Sequence, residues 1–134
     1  MIRLSILHPS YGRPEMAFNA CKEWLQNCHN PLEVEYIIGL DENDSLNAEY
    51  GIRFFTSKSI QEKWGKFEID TGNSTCAVQA LNRITLTISD ASELLIEVLD
   101  DVGCFQDWDL ALWKLLENID NFKEPKMIGT HDGL

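Results

Sequence analysis

The sequence predicts an α/β domain with a mostly parallel central sheet flanked by helices, and two observations carry the prediction. Apolar runs of strand length alternate along the chain with segments whose apolar residues recur at helical spacing. The runs themselves, such as "VEYIIGL" and "ELLIEVL", are apolar on both faces, as strands covered by helices on two sides must be. At 134 residues the chain has material for one core, and residues 1 to 134 read as a single domain.

Each element has a local reason. Residues 2 to 7, IRLSIL, form the first strand, which ends in the turn-rich loop HPSYGRP. A helix follows, running to about Asn30. Pro14 suits its first position, Glu15 complements its N-terminal dipole, and Phe18, Cys21, Leu25 and Cys28 recur on one face. VEYIIGL, 34 to 40, is a second strand rich in branched and aromatic residues, and it breaks into DENDS, whose side chains favour turns. Residues 45 to 66 show no clear period and read as loop with a short element. KFEID, 66 to 70, is a third strand. TGNS then opens a helix capped by Asn73 or Ser74, with Ala77, Ala80, Leu81, Ile84 and Ile88 on one face. ELLIEVL, 93 to 99, is the next strand. DWDLALWKLLENI is a helix with Leu112, Leu115, Leu116 and Ile119 inward, and PKMIGT is a last strand.

Composition narrows the function classes. Hydrophobic residues make up 44% and charged residues 25%, a globular balance. The net charge of -11, from 22 acidic and 11 basic residues, comes with no Lys/Arg cluster, so nucleic acid is not an expected partner. The N-terminal apolar run reaches Pro9 too soon for an export signal, and no stretch has membrane-spanning length. Four cysteines, Cys21, Cys28, Cys76 and Cys104, lack CxxC spacing and disulfide-scaffold density. A reduced, cytoplasmic setting is expected, with any membrane association peripheral.

Ligands of parallel sheets bind outside the carboxyl ends of the strands, and this chain places its polar chemistry there. HPSYGR follows the first strand, DEND the second, DD the fourth and HDG the last. The adjacent carboxylates Asp100 and Asp101 repel one another and prefer water, so their position implies either solvent exposure or a cation that offsets the repulsion.

The order and spacing of these segments resemble family 2 glycosyltransferases, the GT-A group that uses nucleotide-sugar donors. In SILHPSYGRPE, residues Pro9, Ser10, Tyr11, Gly12 and Arg13 look like that family's opening strand and loop. VEYIIGLDENDS resembles its second strand, with Asp41 at the acidic position that contacts the base. The segment from Gly72 to Val102 resembles its "ALN" or "ARN" helix and the strand leading to the metal-binding aspartates, with Asn82, Asp100 and Asp101 as the matches. Val102 stands where a third acidic residue is often found, and Leu81 where the "ARN" arginine is. DDVGCFQDWD approaches the variant with a paired aspartate, an apolar residue and a later GWD.

The resemblance implies a Rossmann-like GT-A sandwich and transfer of a sugar from a nucleoside diphosphate sugar, with inversion. A leaving nucleoside diphosphate accumulates negative charge, which Mn²⁺ or Mg²⁺ offsets while needing only one or two protein carboxylates. Asp101 is the expected metal ligand, with Asp100 facing the ribose or sharing the metal through water. Pro9, Ser10, Tyr11, Arg13, Asp41 and Asn82 are the expected nucleotide-sugar contacts, and His131, beside Asp132, a further metal candidate.

Simpler roles stand beside these. Asp100 and Asp101 also fit a solvated acidic turn, Asp41 a turn residue bonding its own backbone, Tyr11 a packing residue, and Arg13 a surface charge. Glu42 or Asp44 equally fits the base contact, and His131 with Asp132 a polar surface pair. His8 suits a structural hydrogen bond better than proton transfer, and Trp64 is the one tryptophan considered for sugar stacking. The chain ends about thirty residues after Asp101, where GT-A enzymes build their acceptor half, so the acceptor half is expected to be short or missing and no catalytic base is assigned. The acceptor is unknown, and a partner chain or second copy is a possible source of that half. The competing function is a non-catalytic nucleotide- or protein-binding domain on the same scaffold.

Overall fold

The computed structural model describes residues 1–119. Within them, β1 is Leu4–Ser10, α1 Pro14–Gln26, β2 Val34–Asp41, α2 Asn47–Phe55, α3 Lys58–Lys63, β3 Lys66–Gly72, α4 Ala77–Thr85, β4 Leu94–Glu97 and α5 Trp108–Glu117, with a 3-10 turn over Pro31–Glu33. The four strands form one sheet in the order β3-β2-β1-β4, and every pairing is parallel. Five helices flank it. The architecture is Rossmann-like, and its strand order matches the first four strands of the doubly wound arrangement.

Side chains alternate across the sheet, so the central strands β1 and β2 feed two cores, while β3 and β4 join only the larger one. Leu4 and Ile6 of β1 and Tyr36, Ile38 and Leu40 of β2 join Cys21, Trp24 and Leu25 of α1, Tyr50 and Phe54 of α2, and Ile60 of α3 in the larger one. Leu7 and Ile37 point the other way and meet Ile84 of α4, with Leu81 and Ile88 beside it. Gly39 permits that contact, since a Cβ there would lie 3.0 Å from Ile84 Cγ2. Towards the amino end of this second face, buried Glu35 accepts hydrogen bonds from the Ser5 hydroxyl and, at 2.7 Å, from the Ser89 amide, while Lys66 Nζ lies 3.6 Å from its other oxygen.

Several sequence expectations need correction. β1 continues through His8, Pro9 and Ser10 instead of stopping at residue 7. A proline is tolerated in this central strand because Leu7 directs its carbonyl to Val98, so Pro9, two residues on, faces the same side, where the β4 ladder has already ended. α1 ends at Gln26, four residues early, although Cys28 beyond it is still buried. Residues 45 to 66 hold two short helices. In them Tyr50, Phe54 and Ile60 are buried at i, i+4 and later positions.

At α4 the cap position is Cys76, with no side-chain cap bond; buried Ser74 instead accepts from Arg83, and Ala77 is exposed. On α5, Leu116 is buried but Leu115 is 47% exposed; at the start of the helix Trp108 is buried edge-on against Trp24, their ring centroids 4.9 Å apart. Trp64 belongs to the core, 3% exposed and 5.2 Å from the Tyr36 ring, which removes it as a sugar-stacking residue. The expected strand PKMIGT lies outside the described residues, as do His131 and Asp132. Among the described residues no helix is long and apolar enough to cross a membrane.

Candidate functional site

The strand order reverses between β1, which leads outward to β2 on one side, and β4 on the other. A crevice forms at the carboxyl ends of strands at such a switch point. β1 opens there into Tyr11, Gly12 and Arg13, and β4 into Val98, Leu99, Asp100 and Asp101.

His8 links the two strand ends. It is fully buried, with Nε2 2.7 Å from Asp100 Oδ1 and Nδ1 2.7 Å from the Tyr36 hydroxyl. A carboxylate only accepts, so Nε2 carries the proton; in the neutral imidazole Nδ1 then accepts, and the Tyr36 hydroxyl donates to it. Complete burial, followed by the nearby Cys21 and Asp100, holds the Tyr36 phenol well above its ordinary range, which keeps that donor protonated. Asp100 has a side chain only 10% exposed, while Asp101 is exposed.

The loop that carries the acidic pair is anchored to α1. The Trp24 indole N–H donates to the Val102 carbonyl at 3.0 Å, and the Cys104 amide donates to Glu23 Oε1 at 3.3 Å. A cleft of about 240 Å³ lies between the two, with Asn19, Ala20 and Glu23 facing Asp100, Asp101 and Gly103. Gly103 fits this close approach: a Cβ there would lie 2.8 Å from Glu23 Oε1, and the Glu23 side chain would have to shift to admit it.

The loop after β1 is braced by the loop after β2. Gly12, at a φ of 67°, donates its amide to Asp44 Oδ2 at 2.6 Å, and the Leu46 amide donates to Asp44 Oδ1 at 2.9 Å. The Tyr50 hydroxyl bonds Ser10 Oγ at 2.7 Å and accepts the Arg13 amide at 2.9 Å. Tyr11 is left 62% exposed on this frame, and the Arg13 side chain is exposed with no hydrogen-bond partner among the described residues. Pro9 and Ser10 are buried beneath them. Asp41 accepts from the Asn43 amide at 2.8 Å, the turn arrangement its type favours, while retaining its second oxygen.

Asn82 and Arg83 divide the end of α4. Asn82 is exposed, and the hydrogen bond it makes is through its carbonyl, from Thr85. Arg83 instead crosses to the sheet: Nε donates to Asp70 at 2.7 Å, Nη1 to Ser74 at 2.8 Å and Nη2 to the Leu40 carbonyl at 2.8 Å. Gly72 makes room for it, since a Cβ would fall 2.6 Å from the guanidinium. Tyr36, Tyr50 and Arg83 thus shape the rim, although none of them was given a role from the sequence. The two tyrosines were detectable only as partners of β1, and Arg83 only through the phase of α4.

The donor set bears on a cation. Among the described residues no three His, Cys, Asp or Glu side chains converge as a complete metal site. Asp100 and Asp101 provide a pair of hard oxygen donors, which suits Mg²⁺ or Mn²⁺ when a ligand's phosphate oxygens and water fill the remaining positions. No protein-family model and no curated protein matches the sequence.

Proposed function

We propose that this chain is the nucleotide-sugar-binding domain of a family 2 type glycosyltransferase with a GT-A sandwich, acting on a nucleoside diphosphate sugar. The observation that carries the reading is the position of Asp100 and Asp101: a carboxylate pair just beyond β4, past Val98 and Leu99, at the switch point and tied to β1 through His8. A bare acidic turn has no need of a buried histidine holding one of its carboxylates, and here His8 does so.

The residues divide the work by position. Exposed Tyr11 offers a flat face to the base, and the free oxygen of Asp41 offers it an acceptor. Arg13 supplies a cationic donor for a phosphate. Asp101 and Asp100 would hold Mn²⁺ or Mg²⁺, which would supply positive charge against that building on a leaving diphosphate. An acceptor hydroxyl then attacks the anomeric carbon as the bond to the diphosphate oxygen breaks, inverting that carbon; the hydroxyl proton passes to a base that no described residue is assigned to be. Asn82, exposed on α4 on a different face from Arg83, offers its side-chain amide as a further nucleotide-sugar contact.

A non-catalytic nucleotide- or protein-binding domain is the second reading. It is favoured by Glu23, a third carboxylate lining the cleft with Asp100 and Asp101, which adds negative charge where a diphosphate would have to sit. Calorimetric titration with UDP, GDP and their sugars, with and without Mn²⁺, tests both. Metal-dependent binding that is lost in Asp101→Ala while the fold persists supports the donor site. No nucleotide binding under any condition leaves only the interaction role.

A further inference from the structure

We infer that His8 is a positioning residue for Asp100: its Nε2–H fixes Oδ1 of that carboxylate against β1, so that Asp100 meets a ligand through Oδ2 alone. The inference rests on the donor-site reading of the acidic pair and assigns a role to a residue of the first strand, which itself cannot touch the ligand. His8 is fully buried and both ring nitrogens are committed, Nδ1 to Tyr36 and Nε2 to Asp100. It is therefore neither a metal ligand nor a proton donor to substrate.

The geometry explains why a polar chain is built through the core at this point. β4 is only four residues long and its ladder with β1 ends at Leu7 and Glu97. Val98 makes one more bond, to the Leu7 carbonyl, and Asp100 then lies beyond the sheet. Without a further tie, the backbone alone would leave the Asp100 side chain free to sample several rotamers. The His8 contact restricts it to one, and Tyr36 fixes the imidazole tautomer from the other side. Oδ2 of Asp100 is left without a protein partner among the described residues. Outer hydrogen bonds of this kind orient carboxylate and imidazole ligands, and their loss typically costs roughly 10- to 100-fold in metal affinity.

Two measurements test the assignment. The first is ¹⁵N NMR of the histidine ring in the free protein, where a protonated Nε2 and an unprotonated Nδ1 are expected for His8; a proton on Nδ1 alone overturns the proposal whether or not any nucleotide binds. The second is calorimetric titration of UDP and of GDP in the presence of Mn²⁺, with wild type, His8→Leu and His8→Gln. His8→Leu should weaken binding about 10-fold or more, while His8→Gln, whose amide nitrogen can still donate to Asp100, should recover most of the loss even if both variants are equally destabilised. Wild-type binding that His8→Leu and His8→Gln leave unchanged, or weaken equally, overturns the positioning role but keeps the donor site. Absence of binding in the wild type overturns the donor-site reading and the ligand-facing role of Asp100 with it.

Discussion

The Gly12 amide donates to the Asp44 carboxylate across 2.6 Å, so the loop after β1 is tied to the loop after β2 by a charge-assisted bond. Gly12 lies in the left-handed region at a φ of 67°, which is what aims its N–H at that carboxylate. The same carboxylate accepts from Leu46, so removing it releases both loops together. Asp44→Ala is expected to destabilise the domain by about 2 kcal/mol. Nucleotide binding should weaken beyond what stability explains, because Tyr11 and Arg13 lose their fixed frame. Urea denaturation and nucleotide titration of the same variant check the two parts; a variant that is destabilised yet binds normally would remove this loop from the site.

Asp109 makes a second such tie, far from the rim. Buried at 2% exposure on the first turn of α5, it accepts the His29 amide at 2.8 Å and the Asn30 amide at 2.9 Å, where the chain turns from α1 towards β2. Both amides would be left without partners in Asp109→Ala, at an expected cost of about 3 kcal/mol. Asp109→Asn retains one acceptor oxygen and should lose roughly half as much. Thermal unfolding of the two variants checks the order. This aspartate occupies the "DWD" position read in the sequence as an approach to GWD, and its bonds are structural.

What the sequence made legible was local. β2 stood out because its eight buried residues are mostly apolar, with Tyr36 to Leu40 forming an unbroken stretch between Glu35 and Asp41, and the order of strands and helices followed from such stretches. α2 and α3 did not stand out because each is short, nine and six residues, and each contributes only one or two buried positions before a break. The end of β1 was hidden by Pro9, which signals a loop unless the neighbouring ladder is known to have stopped. His8 and Asp100 are 92 residues apart, so their contact is a product of topology. The rim segments were correctly placed at the carboxyl ends of β1, β2 and β4, although His8, Pro9 and Ser10 proved to belong to β1 itself, whereas Arg83 was obscured by the phase of a helix: it directly follows exposed Asn82.

Arg83 holds three groups of the rim at once, Asp70, Ser74 and the Leu40 carbonyl. Its side chain is 23% exposed, so the ion pair with Asp70 is only partly screened by water. Arg83→Met should cost about 2 kcal/mol by leaving the Leu40 carbonyl and Asp70 without their donors. Arg83→Lys should recover little of this, since one ammonium cannot reproduce a planar fork that serves three acceptors. Chemical denaturation of both variants checks the expectation; a lysine substitution as stable as the wild type would show that charge, and not the fork, is what matters.

The buried thiols and phenols set how the fold responds to alkali. Burial pushes Cys21 from 9.0 up to about 12 and Cys104 up to about 11, and it holds Tyr36 well above its ordinary 10.0. In each case the folded protein binds its proton more tightly than the unfolded chain does. The sign follows from linkage: the associated stability is fully present below the unfolded values near 9 and 10 and is lost as pH rises through the folded ones. Denaturation midpoints should therefore hold steady up to about pH 9 and fall progressively above it. Cys21→Ser, still neutral at high pH, should flatten part of that decline despite lowering stability at pH 7. Thiol labelling gives a second check, because buried Cys21 and Cys28 should react only on unfolding while exposed Cys76 labels in the native state. Fast native-state labelling of Cys21 would mean that the α1 face of the core opens, and the alkaline decline would then have to arise elsewhere.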